Sequence, residues 1–103
     1  MAIAQATVTT AGADIYTSSG SSATTAIFLM NNAVAARTVQ IYVVPNGGSV
    51  GTTTKIIKDL VIDAADTYIV NTEKLVLANG DKIHVVTSDD DTSVYATVSY
   101  VSI

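Results

Sequence analysis

The sequence contains no cysteine, no tryptophan, one proline and one phenylalanine, and only 14% of its 103 residues are charged. Without cysteine the chain can form no disulfide framework, offers no thiolate nucleophile and cannot build a cysteine-containing zinc site. Its stability must come from packing and association. A charged fraction well below the roughly 25% usual for soluble domains needs a physical reason, because 49% of the residues are hydrophobic. That apolar content excludes disorder. It does not make a membrane span, which takes about 20 consecutive apolar residues; the greasy runs here are strand-length and broken by Thr, Asn and Gly. The opening MAIAQATVTT lacks the basic residues and the continuous apolar stretch of a secretory signal, so synthesis in a cytoplasm is expected. The five basic residues, Arg37, Lys55, Lys58, Lys74 and Lys82, are scattered and the net charge is -4. Binding to a phosphate backbone requires a clustered basic surface, so nucleic acid is not an expected partner.

What the chain does have is alternation. No stretch keeps apolar residues at helical spacing for long, whereas period-two patterns recur throughout. In TVQIYVV, Val39, Ile41 and Val43 point to one side while Gln40 and Tyr42 point to the other, and TSVYATVSYVSI sets Val94, Ala96 and Val98 against Tyr95, Thr97 and Ser99. Further strand candidates are QATVT (5–9), DIYT (14–17), TTAIFLMN (24–31), TKIIKDLVI (54–62), TYIV (67–70), KLVL (74–77) and DKIHVVT (81–87), separated by turn-rich stretches such as SSGSS, PNGGSVG, DAAD, ANGD and SDDD. The expectation is an all-β, single-domain antiparallel β-sandwich over residues 1–103, jelly-roll or immunoglobulin-like, with about eight short strands and minimal helix. Residues 1–12 are open to a reading as an extended N-terminal arm.

LVIDAADTYIV (60–70) and LVLANGDKIHV (75–85) read as two versions of one pattern. At an offset of fifteen, Leu60 matches Leu75, Val61 matches Val76, Ile62 matches Leu77, Asp66 matches Asp81, Tyr68 matches Ile83 and Val70 matches Val85. Each copy is a strand, a polar corner ending in Asp and a second strand, and the pair is expected to feed opposite parts of one core. The Asp side chain closes such a corner by accepting a backbone N–H. Gly80 permits a positive φ that Ala65 adopts only at a cost, so the two turns are expected to differ in type. The predicted core comprises Val39, Ile41, Val43, Leu60, Ile62, Leu75, Leu77, Ile83, Val85, Val94 and Val98, and the predicted structural corners are Asp66, Gly80, Asp81, Asn46 and Gly47.

Charge is distributed unevenly: from Met1 to Thr54 only Asp14 and Arg37 are charged, and all other charges fall between Lys55 and Asp91. Exposed sheet edges normally carry charge that prevents edge-to-edge pairing. A half-chain without it is expected to be covered by copies of itself or by a larger protein surface, since interface cores are poor in Lys, Glu and Asp. Candidate chemistry is sparse. His84, the only histidine, alternates with core residues in KIHVV and is expected on the outer face of a strand. The serines of TSSGSS lack a G-x-S-x-G elbow and suit a turn. Asp89, Asp90 and Asp91 are the calcium candidate, but they are consecutive rather than alternate, which fits a solvated hairpin tip better than an ion site. Asp63 and Asp66 could pair for acid–base work, yet as corner formers they need no such role. PNGG (45–48) is a turn and not a phosphate cradle, because no helix follows it. No catalytic residue, metal or cofactor is therefore expected.

The order DIYTSSGSSATTAIFLMNN, ARTVQIYVVPNGGSVGT, IIKDLVIDAADTYIV, LVLANGDKIHVVTS and VYATVSYVSI resembles small β-sandwich structural proteins of tailed-bacteriophage virions over about residues 14–103. Those proteins often carry Pro-Ala-Gly where this chain has Ser18, Ser19 and Gly20. The resemblance implies a virion protein of the capsid decoration (cement) type, sitting on the outer shell as a small homo-oligomer, with a trimer favoured, and contacting a major capsid or other virion protein. Decoration of this kind requires no chemistry, in keeping with the absence of candidate catalytic residues and of a membrane-spanning run noted above. The alternatives are a phage neck, baseplate or tail-fibre attachment module and, from a different class, a carbohydrate-binding sandwich. For the last, Tyr16, Tyr42, Tyr68, Tyr95 and Tyr100 are the aromatics available, and they are spread over separate strands.

Overall fold

The computed structural model describes residues 2–70, 74–88 and 93–103. Among these residues nine strands run in order: β1 (Ala2–Val8), β2 (Ala13–Thr17), β3 (Ser22–Asn31), β4 (Arg37–Val44), β5 (Lys55–Ile62), β6 (Thr67–Val70), β7 (Val76–Leu77), β8 (Lys82–Thr87) and β9 (Val94–Ser102). The one helical turn among the described residues is a 3-10 segment, Thr52–Thr54, before β5. The strands form two sheets with only antiparallel pairs. Sheet A has the order β1-β9-β3-β6, with β7 also on β3, and sheet B has the order β2-β8-β4-β5.

Pairing is nested: β1 with β9, β2 with β8, β3 with β6 and β7, and β4 with β5. Because β6 and β7 lie along the same side of β3, they act as two halves of one interrupted strand. Counted so, eight strands remain, and the chain changes sheet at every connection except β4 to β5. This rolled-up antiparallel ribbon is the jelly-roll form of the sandwich. The first residues belong to it fully. β1 pairs with β9 along its whole length, Ala2 to Tyr100 through Val8 to Val94, so residues 2–8 are an edge strand and not an arm.

The two inner faces share one core. Of the predicted core residues, Val39, Ile41, Ile62, Leu77, Ile83, Val85, Val94 and Val98 are buried, while Val43, Leu60 and Leu75 are only partly buried at its margin. Val8, Ile15, Tyr16, Ile27, Leu29 and Ala96 complete it. Tyr42 and Val44 are also buried although they lie on the outer side of β4. β4 is an inner strand of sheet B, and the 3-10 turn packs against it.

The doubled stretch resolves into two inter-sheet corners running in opposite directions. Residues 63–66 lead from β5 in sheet B to β6 in sheet A, and residues 78–81 lead from β7 in sheet A to β8 in sheet B. The equivalent residues Ile62 and Leu77 are buried alike, and Val61 and Val76 are exposed alike. Beyond the corners the likeness stops, because β6 is an edge strand that leaves Tyr68 exposed whereas β8 lies between β2 and β4 and buries Ile83.

The turn expectation is corrected: the two corners share one backbone form. Asp66 N–H donates to Asp63 O at 3.1 Å and Asp81 N–H to Ala78 O at 3.1 Å, with the third residue at positive φ in both, 57° at Ala65 and 86° at Gly80. That combination marks a type II turn. Each corner is also docked in the same way on the end of a strand. Asn31 N–H reaches Asp66 O and Ser18 N–H reaches Asp81 O, at 2.9 and 2.8 Å. Tertiary hydrogen bonds hold Ala65 in a conformation its side chain disfavours by about 1–2 kcal/mol. Gly80 has a second reason to be glycine, since a Cβ there would lie 2.5 Å from Asn46 Cγ.

Candidate functional site

The strands of sheet A contain no Asp, Glu, Lys, Arg or His; every charged residue that lies in a described strand, Asp14, Arg37, Lys55, Lys58, Asp59 and Lys82, belongs to sheet B. Strand alternation then decides what each outer face presents. On sheet A, register places Phe28 beside Ile69 and Thr97, Met30 beside Thr67 and Tyr95, and Ile3 beside Ser99, all on the side away from the core. The large members of this face are open to solvent: Ile3 66%, Ile69 47%, Tyr95 39%, Met30 38% and Phe28 37% exposed. The polar residues among them, Gln5, Thr7, Thr67, Thr97 and Ser99, are uncharged. A pleated face of this kind, apolar in patches and with no ionised group in its described strands, is suited to meeting another protein surface; the Lys74 ammonium reaches it from outside the strands, donating to Thr25 O at 2.7 Å.

Sheet B has an outer face of the opposite character. Asp14 on β2 lies opposite His84 on β8, and Asp14 Oδ1 is 2.7 Å from His84 Nδ1 while Lys82 Nζ donates to Asp14 Oδ2 at 3.4 Å. The hydrogen bond with His84, aided by Lys82 and opposed by partial burial, holds the Asp14 carboxyl below the usual carboxylate range. The His84 ring also meets Tyr42 edge-on, with centroids 6.0 Å apart, and covers Gly12, where a Cβ would fall 2.1 Å from Nε2. Tyr42 Oη donates to Gln40 Oε1 at 3.0 Å, Gln40 Nε2 donates to Asp59 Oδ1 at 3.3 Å, and Lys55 Nζ stands 5.6 Å over the Tyr42 ring. The polar groups of this face engage one another, which is what a water-facing sheet requires.

His84 is thus on the outer side of a strand, as expected, but its partner Asp14 was not foreseen. The two are 70 positions apart in sequence, and only the β2–β8 pairing unites them. Four of the corner residues, Asn46, Gly47, Gly80 and Asp81, are brought together at one end of the sandwich. Asp81 accepts Asn46 N–H and Ala78 N–H, each at 2.9 Å, one on each carboxylate oxygen. Gly47, at φ 81°, makes the neighbouring turn, closed by Gly48 N–H to Pro45 O at 2.8 Å. At the other corner the Asp66 carboxylate accepts Thr67 N–H at 2.8 Å and no second N–H among the described residues, and Asp63 takes part through its backbone carbonyl. Both uses are structural. The calcium candidate Asp89, Asp90 and Asp91 lies outside the described residues.

Two polar clusters went unrecognised in the sequence. Asn31 is fully buried and its amide donates to the carbonyls of Ala35, Ile62 and Asp63, at 3.0, 3.0 and 3.3 Å, while its oxygen accepts Ala33 N–H at 3.0 Å. Ser18, Ser22 and Tyr16 form a buried hydroxyl chain, with Tyr16 Oη donating to Ser22 Oγ at 2.8 Å and Ser18 Oγ to Gly20 O at 2.7 Å. Each ties a strand end to a corner or turn, and neither contains a base that could activate a hydroxyl.

The clefts add no chemistry. One of about 290 Å³ opens between β5 and β6 and is lined by Ile27, Ile41, Ile56, Ile57, Val70 and Leu75. A second, about 310 Å³, is a shallow depression along Gln5, Ala6, Thr7, Tyr95, Ala96 and Thr97. Among the described residues no group of three or more His, Cys, Asp or Glu side chains converges as a metal site. The tyrosines do not make one exposed platform, since Tyr16 is buried with its ring 4.2 Å from that of Tyr100 and Tyr42 is buried under the sheet B network. In comparison with known proteins, no family model, no curated protein and no solved structure matches this chain.

Proposed function

We propose that this chain is a structural part of a bacteriophage virion, a capsid decoration protein that docks by the outer face of sheet A and turns sheet B to water. The observation that carries the reading is the segregation of charge by sheet: sheet A has none in its strands, and its outer face presents Ile3, Phe28, Met30, Ile69 and Tyr95. The work of such a protein is contact repeated over a lattice. Modest individual contacts suffice, because an oligomer that engages several at once gains affinity by multivalency. The jelly roll is a recurrent unit of virus shells, although a fold alone identifies no function; the virion assignment also rests on the resemblance over about residues 14–103. No catalytic group is assigned, and the homo-oligomer and the virion protein beneath it are the partners.

The test is to mix the purified protein with undecorated phage heads and image them. Ordered density at every equivalent capsomer, lost on Phe28→Lys, is the expected result. Bare heads would remove the decoration reading. Copy number in whole particles separates it from a neck, baseplate or tail-fibre role: hundreds of copies mean decoration, a dozen or fewer mean attachment.

A further inference from the structure

We propose that the edge of β1 opposite β9, which no described strand pairs, joins β1 of a second copy, antiparallel about a two-fold axis at Gln5, so that two A sheets become one continuous sheet. This contact uses the strand edge, and it stands apart from docking by the sheet's outer face.

The sandwich's edge strands differ in how they are protected. An edge strand offers unpaired N–H and C=O groups, and proteins that stay solitary blunt such edges with charge, bulges, proline or short length. Three of the four edges here are blunted. β2 has five residues, a register break between Asp14 and Tyr16, and the Asp14 charge. β5 carries Lys55, Lys58 and Asp59, has two register breaks against β4, and turns to φ 53° at Asp59. β6 is four residues long. β1 has none of these devices: AIAQATV is seven residues with no charge and no proline, and its register with β9 is unbroken.

The chemistry of β1 selects a second copy as the occupant. A two-fold axis perpendicular to the sheet keeps both outer faces on the same side, and centring it on Gln5 is the one register that pairs all seven residues. It sets Gln5 against Gln5, Ile3 against Thr7, Ala4 against Ala6 and Ala2 against Val8, with no like charges opposed. Gln5 carboxamides can donate to and accept from each other across the axis. Ile3, the most exposed large side chain of β1, then lies against the second copy's Thr7, at the rim of the depression formed with Tyr95 and Thr97. A head-to-tail ring would instead require β1 to meet a blunted edge such as β6, with four residues to offer. The repeating unit is therefore a two-fold dimer, in place of the trimer that the resemblance implied. A seven-residue edge contact is small, so the dimer is weak and reversible.

Sedimentation velocity from about 10 μM to about 1 mM spans the range in which such an association is read. The wild-type chain should shift from monomer toward dimer as concentration rises. Gln5→Lys and Gln5→Glu each place like charges on the axis and should weaken the dimer by about ten-fold or more, with the melting temperature unchanged because Gln5 is exposed. Mixing the two variants should restore a heterodimer, which only direct opposition of the two Gln5 positions explains. A wild-type chain that stays monomeric throughout, whether because β1 takes a strand of another protein or none, overturns the proposal. So does an association that survives both single variants, or a mixture that fails to recover. If association is lost on Phe28→Lys and kept in the Gln5 variants, the outer face mediates it and the edge pairing is wrong. If the Gln5 variants are monomers that still coat heads, the edge pairing stands apart from docking.

Discussion

Sheets A and B are built from the same kind of strand and bury inner faces of the same kind, yet their outer faces differ in nearly every property. Sheet B is a network: Lys82, Asp14, His84, Tyr42, Gln40 and Asp59 are linked by hydrogen bonds and ring contacts, so its polar groups are occupied and its face suits water. On sheet A the hydrogen bonding at the outer face is sparser, with Thr25 Oγ1 donating to Ser99 Oγ and Lys74 Nζ to Thr25 O, each at 2.7 Å, and the large side chains of its described strands are apolar and open. The difference teaches that covering the core takes one side of each sheet, while the other side is free to be matched to whatever it meets. One is matched to solvent. The other is the side that the proposed function assigns to protein.

The largest expected effect comes from making sheet A resemble sheet B. Phe28→Lys with Met30→Lys puts two charges in the middle of the uncharged face, and binding to heads should fall by about 100-fold or more. Melting should barely change, since both positions point away from the core. A double variant that still binds would show that the contrast between the sheets has no bearing on docking.

A second prediction concerns the corners that hold the two sheets in register. The Asp81 carboxylate accepts N–H groups from two segments, Asn46 and Ala78, whereas that of Asp66 accepts one from its own neighbour. Asp81→Ala should therefore cost about 2–3 kcal/mol in urea denaturation and Asp66→Ala about 1 kcal/mol or less. Equal losses would contradict the view that the second corner is the stronger joint. The same pair gives a smaller effect of opposite sign. Ala65→Gly relieves a positive φ of 57° and should stabilise the protein by about 0.5–1 kcal/mol, while Gly80→Ala should destabilise it, because the added Cβ meets Asn46.

The smallest effect comes from making sheet B resemble sheet A. Asp14 has its folded pKa lowered by the His84 hydrogen bond, so the stability it contributes is present above the ordinary carboxylate pKa and is lost as pH falls through the folded value. Asp14→Asn removes that contribution. The wild-type and variant melting temperatures should differ modestly near neutral pH and converge in strong acid, with head binding unchanged. A gap that persists at acid pH would mean that Asp14 stabilises by something other than its charge.

How far these features could be read in advance depends on their range along the chain. The alternation of Val39, Ile41 and Val43 and of Ile83 and Val85 is local, and strand geometry converts it directly into an inner face. The margins were less legible: Val43, Leu60 and Leu75 alternate correctly but sit where the core thins, and Tyr42 and Val44 are covered from the outside by neighbours their pattern does not register. The Asp14–His84 pair was invisible because its members lie 70 residues apart, and the burial of Asn31 because two of the carbonyls it reaches, those of Ile62 and Asp63, are more than 30 residues away. Ala65 shows the same limit at a single residue. Nothing in DAAD announces a positive φ, which is held in place by hydrogen bonds with Ala33 and Asn31.

The sequence by itself determined an all-β sandwich, the two Asp-ended corners, most of the core and a scarcity of charge, since each follows from the period-two backbone or from the intrinsic preferences of turn residues. Its charge-poor first half, however, is not a surface. β1 and β3 go to sheet A and β2 and β4 go to sheet B, because the rolled ribbon interleaves the early strands with the late ones. Only the tertiary structure gathered the uncharged β6, β7 and β9 beside β1 and β3 and left the charges of the described strands in sheet B. Strand pairing between distant segments decides which side chains share a face, and no local pattern encodes that choice.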